Sequence, residues 1–93
     1  MERLPGWEIV SKGLADISAG RITPFACAVW IALPRLRREG LIDDTLLARR
    51  VHEPARLLYR LLCREGGDAY GRYNAIFRRL MRFEHALDRE SSR

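Results

Sequence analysis

Seventeen basic residues include a single lysine, Lys12, and the chain holds only two histidines and two cysteines. Each shortage removes a class of chemistry. Neither His52 nor His85 stands near a cysteine in metal-ligand spacing, so no metal site is expected. His52 adjoins Glu53 and His85 adjoins Glu84, but consecutive helical residues point about 100° apart, so neither pair converges on one substrate atom. A two-histidine hydrolytic site would need the fold to bring His52 and His85 together. Gly66 and Gly67 are followed by no phosphate-loop lysine and serine, and read as a helix stop. The expectation is a protein with no catalytic residues, no cofactor and no enzymatic activity.

Long apolar runs are also missing. The longest, Phe25 to Leu33, has nine residues, whereas a membrane span needs about twenty. No early apolar block of the signal-peptide kind follows Met1, where Glu2, Arg3, Pro5 and Gly6 stand instead. A cytoplasmic location without membrane contact is expected, with Cys27 and Cys63, both among apolar neighbours, as buried free thiols.

What is present suits one globular domain spanning residues 1–93, with 47% hydrophobic and 31% charged residues. Sustained period-two alternation is absent, and helical spacing recurs. Trp7, Val10, Leu14 and Ile17 form one stripe, with Glu8, Lys12 and Asp16 on another face and Gly20 as a stop. Thr23 and Pro24 start a second helix. Its 25–33 run is apolar all round, as suits a buried central helix, Pro34 kinks or ends it, and basic "RLRREG" closes at Gly40. Asp43 and Asp44 cap a short helix to about Val51, Pro54 opens the next, and Asp68 caps a long one to about Glu90. The spacing predicts an all-α, four- to five-helix domain with a long C-terminal helix.

Charge is distributed unevenly. Residues 1–46 hold six basic and six acidic side chains, while residues 47–93 hold eleven and six, so the net +5 lies in the second half. Arginine suits bidentate contact with phosphate or carboxylate, although a high-GC genome raises arginine over lysine without any ligand. "DDTLLARRVHEPARLLYRLLCREG" resembles a helix-turn-helix: a support helix packed through Leu47, Ala48 and Val51, a turn, and a recognition helix packed through Leu58 and Leu61. It departs from that pattern at two positions. His52 replaces the usual positive-φ glycine, and Glu53 replaces the apolar residue that anchors the turn. The resemblance implies that Arg56, Tyr59, Arg60 and Arg64 reach base edges or phosphates.

Independently of that resemblance, Arg56, Arg60 and Arg64 form an i, i+4, i+8 row able to track a phosphate backbone or an acidic helix. Arg49 and Arg50 lie before it, and Arg78, Arg79 and Arg82 would extend the surface if the two helices pack side by side. Tyr70, Tyr73 and Asn74 interleave with arginine as base-stacking residues do, and equally as tyrosines at an ordinary helix end do. Two functions are expected from these features: a small non-catalytic nucleic-acid-binding protein (a DNA regulator or a ribonucleoprotein subunit), or an antitoxin-like, inhibitor or adaptor module gripping an acidic partner protein. The second would use an apolar arc of Phe77, Met81 and Phe83, which would also serve a homodimer. A solvated arginine face with no ligand fits the same spacing.

Overall fold

Gly6 and Thr23 each end a stretch of extended or turn backbone and release the chain into a helix. In the computed structural model, which describes residues 4–40, 42 and 51–91, four α-helices follow one another and the described residues form no strand. They are α1 (Trp7–Ser18), α2 (Pro24–Arg38), α3 (Pro54–Glu65) and α4 (Ala69–Ser91). The helix expected over residues 43–51 lies outside the described residues, except Val51, which is not helical.

Local chemistry explains most boundaries. Thr23 is extended and its Oγ1 accepts the Ala26 N–H at 3.1 Å, while Pro24 occupies a first-turn position whose N–H has no helical partner to lose. The Asp68 carboxylate accepts the Gly71 N–H at 3.0 Å and opens α4. Pro34 does not end α2. The helix continues one turn to Arg38, with the exposed proline ring costing the Trp30 carbonyl its helical partner. Arg35, Arg37 and Arg38 in that last turn oppose the negative end of the helix dipole.

Helix α2 places eight of its fifteen residues in the interior, among them Cys27, Val29, Trp30, Leu33 and Leu36, and it packs against each of the other helices. Ile9, Val10 and Ile17 of α1, Leu58 and Leu62 of α3, and Leu80, Phe83 and Leu87 of α4 complete the core. Burial pushes the Cys27 thiol up to about 11, so it stays protonated. Cys63, in contrast, is exposed on α3, which corrects the expectation that both thiols are buried. It lies on the arc of α3 between Tyr59 and Arg60, away from the Leu58–Leu62 stripe.

Two glycines allow the closest approaches. A Cβ on Gly13 would lie 2.2 Å from the Phe25 carbonyl oxygen and 2.5 Å from Val29 Cγ2, so α1 and α2 cross there with no side chain between them. A Cβ on Gly6, at φ 83°, would lie 2.5 Å from the Arg79 carbonyl oxygen and 3.0 Å from Phe83 Cβ. Gly6 thus admits α4 against the start of α1, where Trp7 stacks on Phe83 at 6.0 Å between centroids.

The α1–α2 corner holds a buried carboxylate. Asp16, expected on a polar face, is only 2% exposed. Its Oδ2 accepts the Thr23 hydroxyl at 2.6 Å and its Oδ1 pairs with Lys12 Nζ at 3.3 Å. The Thr23 hydrogen bond, aided by Lys12 and Arg21, holds this carboxyl below its ordinary value despite the opposing effect of burial.

Gly13→Ala should destabilise the domain by about 1–3 kcal/mol, because backbone rather than a mobile side-chain tip blocks the new methyl; urea denaturation monitored by circular dichroism reads this directly. A second expectation concerns acid. A depressed Asp16 pKa contributes stability that is fully present above the unfolded value and is lost as pH falls through the lower folded value. Asp16→Asn should therefore lower stability at neutral pH and flatten its decline below about pH 4, measured as denaturation midpoint against pH.

Candidate nucleic-acid interface

Helices α3 and α4 are joined by three residues and lie side by side, so their outward faces form one surface. On α3, Leu58 and Leu62 face the core, and residues roughly opposite them include Arg56 and Arg60, both exposed. Arg64 is exposed one turn further on, so the expected row of three stands on the solvent side. Tyr59 lies between this row and α4. Its ring meets Tyr73 edge-on at 5.6 Å, and Tyr73 in turn contacts Phe77 at 4.8 Å.

On α4, Leu80, Phe83 and Leu87 turn inward, while Asn74, Phe77, Arg78, Met81, Arg82 and His85 line a shallow groove along the outer side. Met81 is 48% exposed and Tyr70, one turn before Asn74, is 67% exposed. Phe77 is half-buried. Phe83, expected beside Phe77 and Met81 on an apolar outer arc, is fully buried against Trp7 and Gly6 and cannot belong to an interface of this fold. The arc is wide enough to span both environments, and packing against α1 takes its inner half. His52 and His85 line different grooves, His52 with Arg56 and Arg60 and His85 with Phe77 and Met81.

Carboxylates divide the arginines into two sets. Arg79 pairs with Glu8 of α1 at 2.9 Å, Arg35 with Asp88 of α4, and Arg72 with Glu65 of α3, which ties neighbouring helices together. Arg72 also donates to the Gly66 carbonyl at 3.3 Å, clamping the α3–α4 connection. Arg56 lies 3.5 Å from Glu53. Arg60, Arg64, Arg78 and Arg82 are exposed, and none of them has a carboxylate partner among the described residues. Arg79 therefore belongs to the α1–α4 seam rather than to a row with Arg78 and Arg82. Arg49 and Arg50, with Leu47 and Ala48 of the expected support helix, lie outside the described residues.

The turn before α3 differs from the helix-turn-helix pattern in its backbone as well as in its residues. The left-handed position falls on Glu53 (φ 51°, ψ 64°), immediately before Pro54, and Glu53 is the described non-glycine residue with positive φ. In the helix-turn-helix pattern the positive-φ glycine aligns with His52, one residue earlier; Pro54 disfavours right-handed helical backbone in its predecessor, which keeps Glu53 out of α3 but does not by itself select the left-handed region. Its carboxylate, 3.8 Å from His52 Nε2, also puts negative charge at the N-terminus of α3. Among the described residues no group of three histidine, cysteine or acidic side chains could hold a metal ion, and no helix is long and apolar enough to cross a membrane.

Left-handed backbone costs an L-residue roughly 1–2 kcal/mol relative to glycine. Glu53→Gly should accordingly raise stability, by up to about 1 kcal/mol after loss of the exposed Arg56 contact, and a higher urea midpoint at unchanged slope would show it.

Comparison with known proteins adds no relative to this geometry: no protein-family model, no curated protein and no solved structure matches the chain.

Proposed function

We propose that this chain is a small non-catalytic nucleic-acid-binding protein that uses the joined outer face of α3 and α4. The observation that carries this reading is the sorting of arginines. Those at helix seams are neutralised by carboxylates, while Arg60, Arg64, Arg78 and Arg82 face solvent without one. Leaving four guanidinium groups unpaired on adjoining helices concentrates positive potential on one side of a molecule of net charge +5. Planar guanidinium forks match phosphate oxygens bidentately, and such contacts release counterions from the polyanion. Arg56 would join them at the edge of the face, and Tyr59 lies among them.

A second reading has its own support. The groove of Phe77 and Met81, flanked by Arg78 and Arg82, suits an acidic amphipathic helix of a partner protein, with apolar contacts in the groove and carboxylates on the arginines. A homodimer through this groove is less favoured, because two-fold symmetry brings the same arginine-rich patch of both copies together.

Fluorescence anisotropy with labelled RNA, single-stranded DNA and duplex DNA across a salt series separates these readings. Four phosphate contacts give a log–log salt slope near −2.8 on single strands or −3.6 on duplex, following about −0.7 and −0.9 per contact. Changing Arg60, Arg64, Arg78 and Arg82 together to glutamine should remove most of the affinity and the slope. Absence of binding to every probe at low salt would reject the nucleic-acid reading and leave the acidic partner.

A further inference from the structure

The outer face carries more than charge. Tyr59 is 40% and Tyr70 67% exposed, so both rings offer aromatic surface to solvent. Tyr70 and Phe77 are seven residues apart, so they lie on nearly the same line along α4, and Met81 continues that line by one more turn. Tyr59 joins the strip from α3 through its edge contact with Tyr73, which is itself held against Phe77. The strip from Tyr70 to Met81 is about 16 Å long, room for four or five stacked bases at about 3.4 Å each. Arg78 and Arg82 border it on the side away from α3, and on α3 Arg60 stands beyond Tyr59, in the groove with His52, Glu53 and Arg56.

The two helix N-termini near this face point away from duplex recognition. Major-groove readers present the first turn of a helix to bases and phosphates. Here the start of α3 carries the Glu53 carboxylate, and the start of α4 is already occupied by the Asp68 carboxylate on the Gly71 N–H. Both ends repel a phosphate. In a duplex the bases are stacked on one another and offer no face to a protein aromatic, whereas unpaired bases do.

On the reading of this face as a nucleic-acid surface, we infer that its ligand is single-stranded: unpaired bases stack on Tyr59 and Tyr70 while Arg60, Arg78 and Arg82 hold the phosphates on either side. Recognition of this kind tolerates sequence, because every base has a π-face, and discriminates by strandedness.

The test uses fluorescein-labelled 12-mers of mixed sequence, as single-stranded RNA, single-stranded DNA and duplex DNA, at one low salt concentration. The proteins are the wild-type chain, Tyr59→Ala, Tyr70→Ala, Tyr70→Phe and the Arg60→Gln/Arg82→Gln double variant. Both tyrosines are exposed, so the variants should keep the wild-type far-ultraviolet circular dichroism. Single strands should bind at least tenfold more tightly than duplex. Each alanine variant should lose about 5- to 150-fold on single strands, the equivalent of one stacked base. Tyr70→Phe, which keeps the ring, should stay within about twofold of wild type, and the arginine variant should weaken on all three probes. If the arginine variant loses binding while the alanine variants do not, and duplex binds as well as single strands, the single-strand inference is overturned and the charged-surface reading stands. If no probe binds the wild-type chain, both are overturned.

Discussion

The crossing of α1 and α2 at Gly13 is the contact on which the remaining packing depends. With no side chain between the helices, the α1 backbone comes down onto Phe25 and Val29. This proximity brings Asp16 within reach of the Thr23 hydroxyl at the next turn. Thr23 then has two tasks: its hydroxyl donates to Asp16 while the same oxygen accepts the Ala26 N–H. The cap that starts α2 is thereby also the bond that fixes its direction relative to α1. Burial of a carboxylate is costly without such partners, and Lys12 and Thr23 between them supply hydrogen bonds to both oxygens. Once the pair is set, α2 offers its other sides to α3 and α4.

Charge on the exterior follows a related division. Glu8, Glu65 and Asp88 each meet an arginine of a different helix, so three seams carry a cross-helix ion pair. Such exposed pairs contribute little individually, at most about 1 kcal/mol each. Their larger effect is on where positive charge remains. Glu8, Glu65 and Asp88 are engaged at the seams, and Arg60, Arg64, Arg78 and Arg82 on the outward side of the α3–α4 pair are left without a carboxylate. Four unpaired guanidinium groups on two adjoining helices raise the positive potential of that face.

Much of the helix pattern could be read from punctuation alone. Thr23 with Pro24, Pro54, and Asp68 mark three helix starts, and Gly20, Gly40 and Gly66 follow three ends, because caps and breakers act through local backbone geometry. Features that depend on which helix comes next to which were not legible. Phe77 and Phe83 lie on one broad arc of α4, and only the presence of α1 decides that Phe83 goes in while Phe77 stays near the rim. Asp16 reads as surface until the corner folds Thr23 onto it. Arg79 looks like a neighbour of Arg78 until Glu8 is seen across the seam. Pro34 reads as a kink or an end because a proline removes one backbone bond, and the structure rules out the end: the exposed ring, four residues before the last of α2, is accommodated within the helix. For the outer face, the residue types were visible in the sequence as spacing, but whether each arginine keeps a carboxylate partner was not, since apart from Glu53 beside Arg56 those partners come from other helices.

The seat of Phe83 also has a bearing on how the chain is made. Gly6, which allows α4 to approach, and Phe83, which fills the space, come from opposite ends of the described chain. The α1–α2 corner is local and can close as soon as both helices have left the ribosome, but Phe83 follows Arg38 by 45 positions. At roughly 5–20 residues per second, the nascent chain carries an unfilled apolar seat beside Trp7 for about 2–9 s. During that interval the growing protein is most open to aggregation and to chaperone capture, and it is the arrival of α4, not the closing of the first corner, that ends it.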